Sequence, residues 1–191
     1  KIVSNASGLF SDLSADAPKA KYIATIRDFV MVGNTFDAVD GNVSNRVRWS
    51  ALGNDTSWAI SATTLSDFQD LYGYGKVQGI VGGEYGTILC ERGIFRRTFV
   101  GSPLVWQFDA VETQRGCAVD GSVTAIGNAV FYLSDDGFYM FDGNASKNIG
   151  AERVNRWFLE QFNIAYKEDL TCASDPQNQI VMWSFTSNDS T

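Results

Sequence analysis

Short apolar runs alternate with turns that contain glycine or aspartate along most of the chain. One such pattern covers residues 83–95, and a second copy lies 44 residues further on, so that Leu89 corresponds to Leu133 and Gly93 to Gly137. In each copy two apolar runs flank a polar turn that ends in glycine, the residue that most readily adopts the positive φ of a hairpin turn. The pattern therefore predicts a β-hairpin in each copy.

An aromatic residue recurs with nearly the same period and lies each time in a short strand-like run. The series consists of Trp49, Phe95, Tyr139 and Trp183. Units of roughly 40–50 residues with four short strands each are typical of propeller blades. We therefore predict an all-β fold, a partial β-propeller of about three to four four-stranded blades. An irregular β-sandwich is the alternative.

The repeats predict a single propeller domain over residues 1–191, with blades near 22–60, 68–112, 113–162 and 163–191. Residues 33–45 are predicted to form a loop around Asp40 and Gly41, because aspartate, asparagine and glycine are common in turns.

One segment departs from the β pattern. Residues 151–162 place Val154, Trp157, Phe158 and Phe162 on one face of a helix. We predict a short amphipathic helix inserted between blades. It covers a sheet edge or, through Trp157, contacts a neighbouring subunit.

The composition fits a folded globular protein and argues against several kinds of active site. Hydrophobic residues make up 45% and charged residues 19% of the chain, which contains no histidine. Ser-His-Asp and Cys-His catalysis within the chain is therefore excluded. Cys90, Cys117 and Cys172 have no CxxC spacing and are predicted to be reduced, which favours assembly in a cytosol. We predict no catalytic residue, metal site or cofactor.

Arg92, Arg96 and Arg97 form the only basic cluster. Strand alternation places Arg96 and Thr98 on one face and Arg97 on the other. These arginines are predicted to contact another subunit or DNA phosphates in a channel. The net charge of −7 is unfavourable for gripping nucleic acid, but it would let duplex DNA slide past without sticking.

Several tracts occur in an order that resembles the packaged-DNA stabilisation proteins, the head-closure and tail-hub proteins of short-tailed phages and prophages. They are residues 46–53, 67–71, 83–86, 99–103, 133–138 and 149–154. The resemblance implies a β-propeller in a homo-oligomeric ring below the portal, in contact with the portal and other tail proteins. It implies that the ring retains packaged double-stranded DNA and conducts it during ejection.

This resemblance also implies a place in the virion, after assembly in the bacterial host cytoplasm. It supplies no catalytic residue. A complete propeller needs more blades than the repeats account for, so we expect the chain to be part of a longer protein. No apolar run is long enough for a membrane span.

A carbohydrate-binding or carbohydrate-active propeller is the alternative function. In that case exposed aromatic rings would stack on sugars. The candidates are Trp58, Tyr72, Tyr74 and Trp106. A third interpretation is a lone adhesion domain.

Overall fold

The computed structural model describes residues 2–3, 10–83 and 85–189. Glu84, which belongs to one of the tracts that carry the resemblance, lies outside the described residues. The described part begins with two short antiparallel strands, β1 (Ile2–Val3) and β2 (Phe10–Ser11).

Three four-stranded antiparallel sheets follow, and in each one the strands are paired in chain order. The first contains β3 (Lys19–Ile26), β4 (Phe29–Asp37), β5 (Gly41–Trp49) and β6 (Asp67–Asp70). The second contains β7 (Val77–Val81), β8 (Gly86–Cys90), β9 (Gly93–Gly101) and β10 (Val105–Glu112). The third contains β11 (Thr124–Ile126), β12 (Ala129–Ser134), β13 (Gly137–Phe141) and β14 (Ser146–Asn148).

A fourth sheet has two strands, β15 (Thr171–Asp175) and β16 (Ile180–Ser184). The helix α1 (Asn155–Gln161) and a 3₁₀ helix (Ile164–Asp169) lie between β14 and β15, and another 3₁₀ helix (Asp120–Ser122) precedes β11. The fold prediction is confirmed: the chain is all-β, and its sheets are propeller-like blades that do not close into a ring.

The blades stack through buried apolar side chains between neighbouring sheets. Strand β3 lies against β7, and β11 lies against β15, so the first strands of these neighbouring sheets are adjacent. The second sheet has a neighbour on each side. Ile88 of β8 therefore packs with the first sheet, whereas Leu89 packs with the third.

The predicted turn around Asp40 and Gly41 is confirmed, but it covers only residues 38–40, and the prediction of a loop over all of residues 33–45 is wrong. Strand β4 continues to Asp37 and β5 begins at Gly41. Gly33 belongs to the strand because it permits close packing: a Cβ atom there would lie 2.8 Å from Cδ1 of Ile80 and 2.9 Å from Cγ1 of Val77. The glycine therefore marks the approach of the second sheet, not a turn.

The aromatic repeat follows the strand order for three of its four members. Trp49, Phe95 and Tyr139 lie on β5, β9 and β13, the third strands of their sheets, but Trp183 lies on β16, the second strand of its sheet. Because helical residues are inserted before β15, the fourth member of the aromatic series lies on the second strand of its sheet and not on the third. The first sheet also extends past residue 60, because β6 pairs with β5.

The antiparallel strand order divides the connecting segments between two ends of the blades. The turns after the first and third strands lie at one end, which we call the hairpin end. The turns after the second strands and the connections between sheets lie at the other, the connection end. Residues 127–128 and 142–145 are thus at the hairpin end, and α1 is at the connection end.

Helix α1 is held on the third sheet by Asn155, a buried residue at its start. Oδ1 of Asn155 accepts a hydrogen bond from the backbone N of Phe138 (3.1 Å), and Nδ2 donates to Oδ1 of Asn148 (3.0 Å). Phe158, one turn further along, packs on the Phe138 ring with centroids 4.6 Å apart. The predicted helix is confirmed, although it is shorter than residues 151–162.

We expect Asn155→Ala to lower the free energy of unfolding by about 1–3 kcal/mol, because the buried N–H of Phe138 would lose its acceptor. Urea unfolding followed by tryptophan fluorescence measures the change. The control is Asn163→Ala, which removes an exposed cap of the 3₁₀ helix, where Oδ1 of Asn163 accepts a hydrogen bond from the backbone N of Ala165. Equal losses in the two variants would contradict the anchoring role of Asn155.

Candidate functional site

The three arginines of the basic cluster lie in three different environments. Arg92 is exposed at the connection end, in the turn between β8 and β9. Arg96 is half-buried and faces the third sheet, whereas Arg97 faces the first sheet and is 0% exposed. The prediction that Arg97 contacts DNA or another subunit is therefore wrong. Alternation places Arg96 and Arg97 on opposite faces, so the three side chains form no common basic surface.

Arg97 has no acidic partner among the described residues. Its guanidinium carbon lies 3.5 Å from the centroid of the Trp106 ring, and Nη1 donates to the sulfur of Met31. Nε and Nη2 have no hydrogen-bond partner. Burial lowers the pKa of Arg97 to about 9. This arginine is a buried charge in an apolar core.

Trp157 lies at one side of α1 and is 59% exposed. Its ring contacts Phe185 edge-on, with centroids 6.2 Å apart. Val154 and Leu159 are exposed too, and Phe158 is buried against the third sheet. The side of the helix opposite Phe158 carries the paired side chains of Arg156 and Glu160. The outward face of α1 is therefore charged, and Trp157 and Leu159 flank it as exposed apolar side chains.

Two of the four candidate sugar-stacking residues are buried, and these predictions are wrong. Trp58 is 2% exposed, and its Nε1 donates to the backbone O of Asp55 (2.7 Å). Trp106 is 4% exposed and packs between Phe29 and Phe99. Neither ring has a free face for a ligand.

Tyr72 and Tyr74 lie with Trp106 around a cleft of about 280 Å³ between the first two sheets. Tyr74 is half-buried against Phe95, with centroids 4.9 Å apart. Tyr72 is exposed, and its hydroxyl donates to Oδ2 of Asp70 (3.1 Å). Tyr72 is therefore the only one of the four candidates with an exposed ring.

A second cleft, of about 480 Å³, lies between the second and third sheets at the hairpin end; we call it the inter-sheet groove. One wall is formed by Thr87, Arg96 and Thr98 on β8 and β9. Nη1 of Arg96 donates to Oδ1 of Asn144 across the groove (2.9 Å), and Nη2 lies 3.9 Å from Oδ2 of Asp109.

The opposite wall of the inter-sheet groove comes from two hairpin turns of the third sheet and carries Asn128, Val130, Asp142 and Asn144. Oδ1 of Asp142 accepts hydrogen bonds from the backbone N of Asn144 (2.9 Å) and of Ala145 (3.0 Å). These bonds, led by that from Ala145, hold the pKa of Asp142 below its usual value. The carboxylate is therefore ionised at neutral pH.

A further cleft, of about 650 Å³, borders Arg46 on the outer face of the first sheet. Arg46 is buried and donates to both carboxylate oxygens of Asp70, with Nε–Oδ1 2.6 Å and Nη2–Oδ2 3.1 Å. Nη1 also contacts Asp40 and lies 3.9 Å from Asp37. Because three carboxylates already surround the guanidinium, Arg46 has a structural role and is not free to bind a ligand.

The described residues include no group of three or more His, Cys, Asp or Glu side chains that could hold a metal ion. Cys90, Cys117 and Cys172 are free thiols. Burial raises the pKa of Cys90 and of Cys117 to about 12, so both thiols are protonated at neutral pH.

No family model matches the chain, and no curated protein matches it. Within the described residues, no helix has the length and apolar character needed to cross a membrane.

Sequence reasoning identified one wall of the inter-sheet groove but missed the other. Alternation along β9 correctly placed Arg96 and Thr98 on the same face. The residues of the facing turns carried no local signal, because aspartate, asparagine and glycine are common in any hairpin turn. Only the packing of the third sheet brings Asn128 and Asp142 opposite Arg96.

Proposed function

We propose that this chain is a non-enzymatic structural component of a phage or prophage head-tail connector or tail hub. In this proposal several copies form a ring that retains packaged DNA and conducts it during ejection, in contact with the portal and other tail proteins in the virion. The ordered tracts in the sequence support the phage assignment.

The observation that carries the proposal is the open strand edge of the two-stranded fourth sheet. Within residues 2–3, 10–83 and 85–189, β16 pairs only with β15. The face of this sheet turned away from the third sheet exposes Ile180 and Met182. An open strand edge beside exposed apolar side chains favours pairing with another polypeptide.

Exposed apolar side chains of α1, among them Trp157, add to the same region. Residues 186–188 run beside the end of the helix, with the backbone N of Asn188 donating to the O of Gln161 (2.8 Å). Trp157 packs on Phe185, which directly follows β16. The exposed apolar side chains of α1 and of the fourth sheet thus belong to one part of the molecule, and we assign this part to the contact with a neighbouring subunit.

The net charge of the chain suits a channel through which DNA slides better than a surface that binds DNA tightly. Its net charge is −7, and the arginines of the basic cluster do not converge on one surface. Tight non-specific binding of duplex DNA requires several lysines or arginines that contact phosphates together. A ring of such subunits would let DNA slide through it.

We expect the purified chain to self-associate, and we expect Met182→Lys and Trp157→Lys to dissociate the oligomer, because each places a charge in an apolar contact. Sedimentation velocity measures the oligomeric state, and electron microscopy with the matching portal protein tests the ring. The control is Val39→Lys, which alters an exposed apolar side chain in the turn between β4 and β5. A wild-type chain that stays monomeric and does not join the portal would contradict the proposal.

A further inference from the structure

We propose that the inter-sheet groove binds a neutral sugar of one or two rings. This site is distinct from the aromatic residues considered for sugar stacking, and it does not depend on the proposed role in the virion. The volume of about 480 Å³ lies within the range of small-molecule sites, roughly 300–1,000 Å³.

The wall on the second sheet presents hydrogen-bonding groups on a rigid surface. Thr87 and Arg96 are direct cross-strand partners on β8 and β9, and Thr98 follows Arg96 on the same face. Because Arg96 makes only one hydrogen bond among the described residues, to Asn144, most of its N–H donors are available. Vicinal sugar hydroxyls can accept hydrogen bonds from such a planar fork of donors.

The opposite wall supplies acceptors. Asp142 uses Oδ1 to hold its own turn, which fixes the carboxylate in place, and Oδ2 accepts no hydrogen bond from the described residues. Asn128 can both donate and accept. A ligand that fits both walls must therefore offer donors and acceptors together, and a sugar hydroxyl does both.

The groove also has apolar surface, which the C–H face of a sugar ring requires. Tyr85 lies at its margin and is 63% exposed, and Val130 contributes to its floor. Tyrosine offers an apolar ring face and a polar hydroxyl in one side chain, so it suits a ligand that is apolar on one face and polar at its edges.

The charges of the groove favour a neutral ligand over an anion. Among the described residues that line the groove, Arg96 is the only cation; Asp142 lines the same groove, and Oδ2 of Asp109 lies 3.9 Å from Nη2 of Arg96. The two carboxylates would repel a phosphate or the carboxylate of an acidic sugar. A neutral polyol avoids this repulsion and still uses both kinds of charged group.

The test uses the whole chain and two sets of probes, the neutral sugars glucose, galactose and mannose and their uronic acids. Saturation-transfer NMR detects the binding of each sugar to the chain, and titration of the chain with that sugar measures the dissociation constant. We expect at least one neutral sugar to bind with a dissociation constant near ~1 mM and its uronic acid to bind more weakly.

Tyr85→Ala and Arg96→Ala should each weaken the binding of the neutral sugar by about three- to tenfold, because each removes one contact of the ring or its hydroxyls. The matched controls are Tyr72→Ala and Arg92→Ala, which remove an exposed tyrosine and an exposed arginine at the connection end and should leave binding unchanged. Thermal unfolding of each variant confirms that it is folded. Asn128→Ala provides a third variant, since its exposed side chain lies in a turn.

Three results would overturn the proposal. The first is that none of the neutral sugars binds at a concentration of about 50 mM, which is 50-fold above the expected dissociation constant. The second is equal affinity of the wild type and of the folded groove variants. The third is tighter binding of the uronic acids, which would identify an anion site and not a site for neutral sugars.

Discussion

Arg46→Met should lower the free energy of unfolding by about 3–5 kcal/mol, because it leaves partly buried carboxylates without their cation. Arg46 donates to both oxygens of Asp70 at 2.6 and 3.1 Å and also contacts Asp40. Its guanidinium carbon lies 3.9 Å from the centroid of the Phe68 ring. Methionine keeps much of the apolar contact with that ring, so the loss measures the missing charge and its hydrogen bonds.

The stability lost in Arg46→Met should be smaller in acid than at neutral pH. Hydrogen bonds from Arg46 hold the pKa of Asp70 below its usual value of 3.8. Asp70 therefore binds a proton more readily in the unfolded chain than in the folded one, so its contribution to stability is present above pH 3.8 and is lost as the pH falls below that value. The difference between wild type and Arg46→Met should shrink in the same window.

Chemical denaturation at neutral and at acidic pH measures both effects. The control is Arg156→Met, which removes an arginine paired with Glu160 on the exposed surface of α1 (3.0 Å). This exposed pair should contribute little, because water screens it and its side chains are mobile. A change as small for Arg46→Met as for Arg156→Met would contradict the structural role of Arg46.

The local signals in the sequence were sufficient for the strands and hairpins but not for what packs on them. The hairpin turns before Gly93 and Gly137 were predicted correctly, because a tight turn is decided by a few adjacent residues. Positive φ occurs at Gly137 but not at Gly93, which begins β9 and lets the Tyr74 ring approach. Gly33 gave the same kind of signal but lies within a strand, where the absence of a side chain admits Ile80 of the next sheet. A glycine that permits close packing cannot be told from a turn glycine without the neighbouring sheet.

Sequence patterns also fail to show what packs on a strand face, and this explains why some candidate site residues are buried. Alternation along β9 predicts which face each side chain lies on, and it placed Arg96 and Arg97 correctly on opposite faces. It does not show what covers each face. The second sheet lies between two others, so its faces are both covered, and Arg97 and Trp106 are buried although their residue types are common at surfaces and binding sites.

Arg97→Met should have the opposite effect to Arg46→Met and raise the free energy of unfolding by about 1–4 kcal/mol, the range in which apolar residues replace buried charged groups with a gain in stability. Arg97 is fully buried, and its Nε and Nη2 have no partner among the described residues. Methionine can fill much of the same space between Met31 and the Trp106 ring without a charge that has lost its hydration.

Chemical denaturation measures this gain, and Arg92→Met serves as the control because it removes an exposed arginine from the same stretch of chain. A lower free energy of unfolding for Arg97→Met would mean that the contacts with Met31 and Trp106 outweigh the desolvation of the guanidinium. The sign of the change therefore decides whether this buried charge stabilises or destabilises the blade interface.

The pH dependence gives a second test of the same cause. Burial lowers the pKa of Arg97 from 12.5 to about 9, so between these values the unfolded chain binds the proton that the folded chain has released. The stability of the wild type therefore gains a contribution from Arg97 as the pH rises above about 9, and the advantage of Arg97→Met should shrink there. Half-buried Tyr22 and buried Tyr132, whose pKa values are raised chiefly by desolvation, act in the opposite direction above pH 10 in both proteins. Their effect cancels in the difference between wild type and variant, which isolates the buried guanidinium.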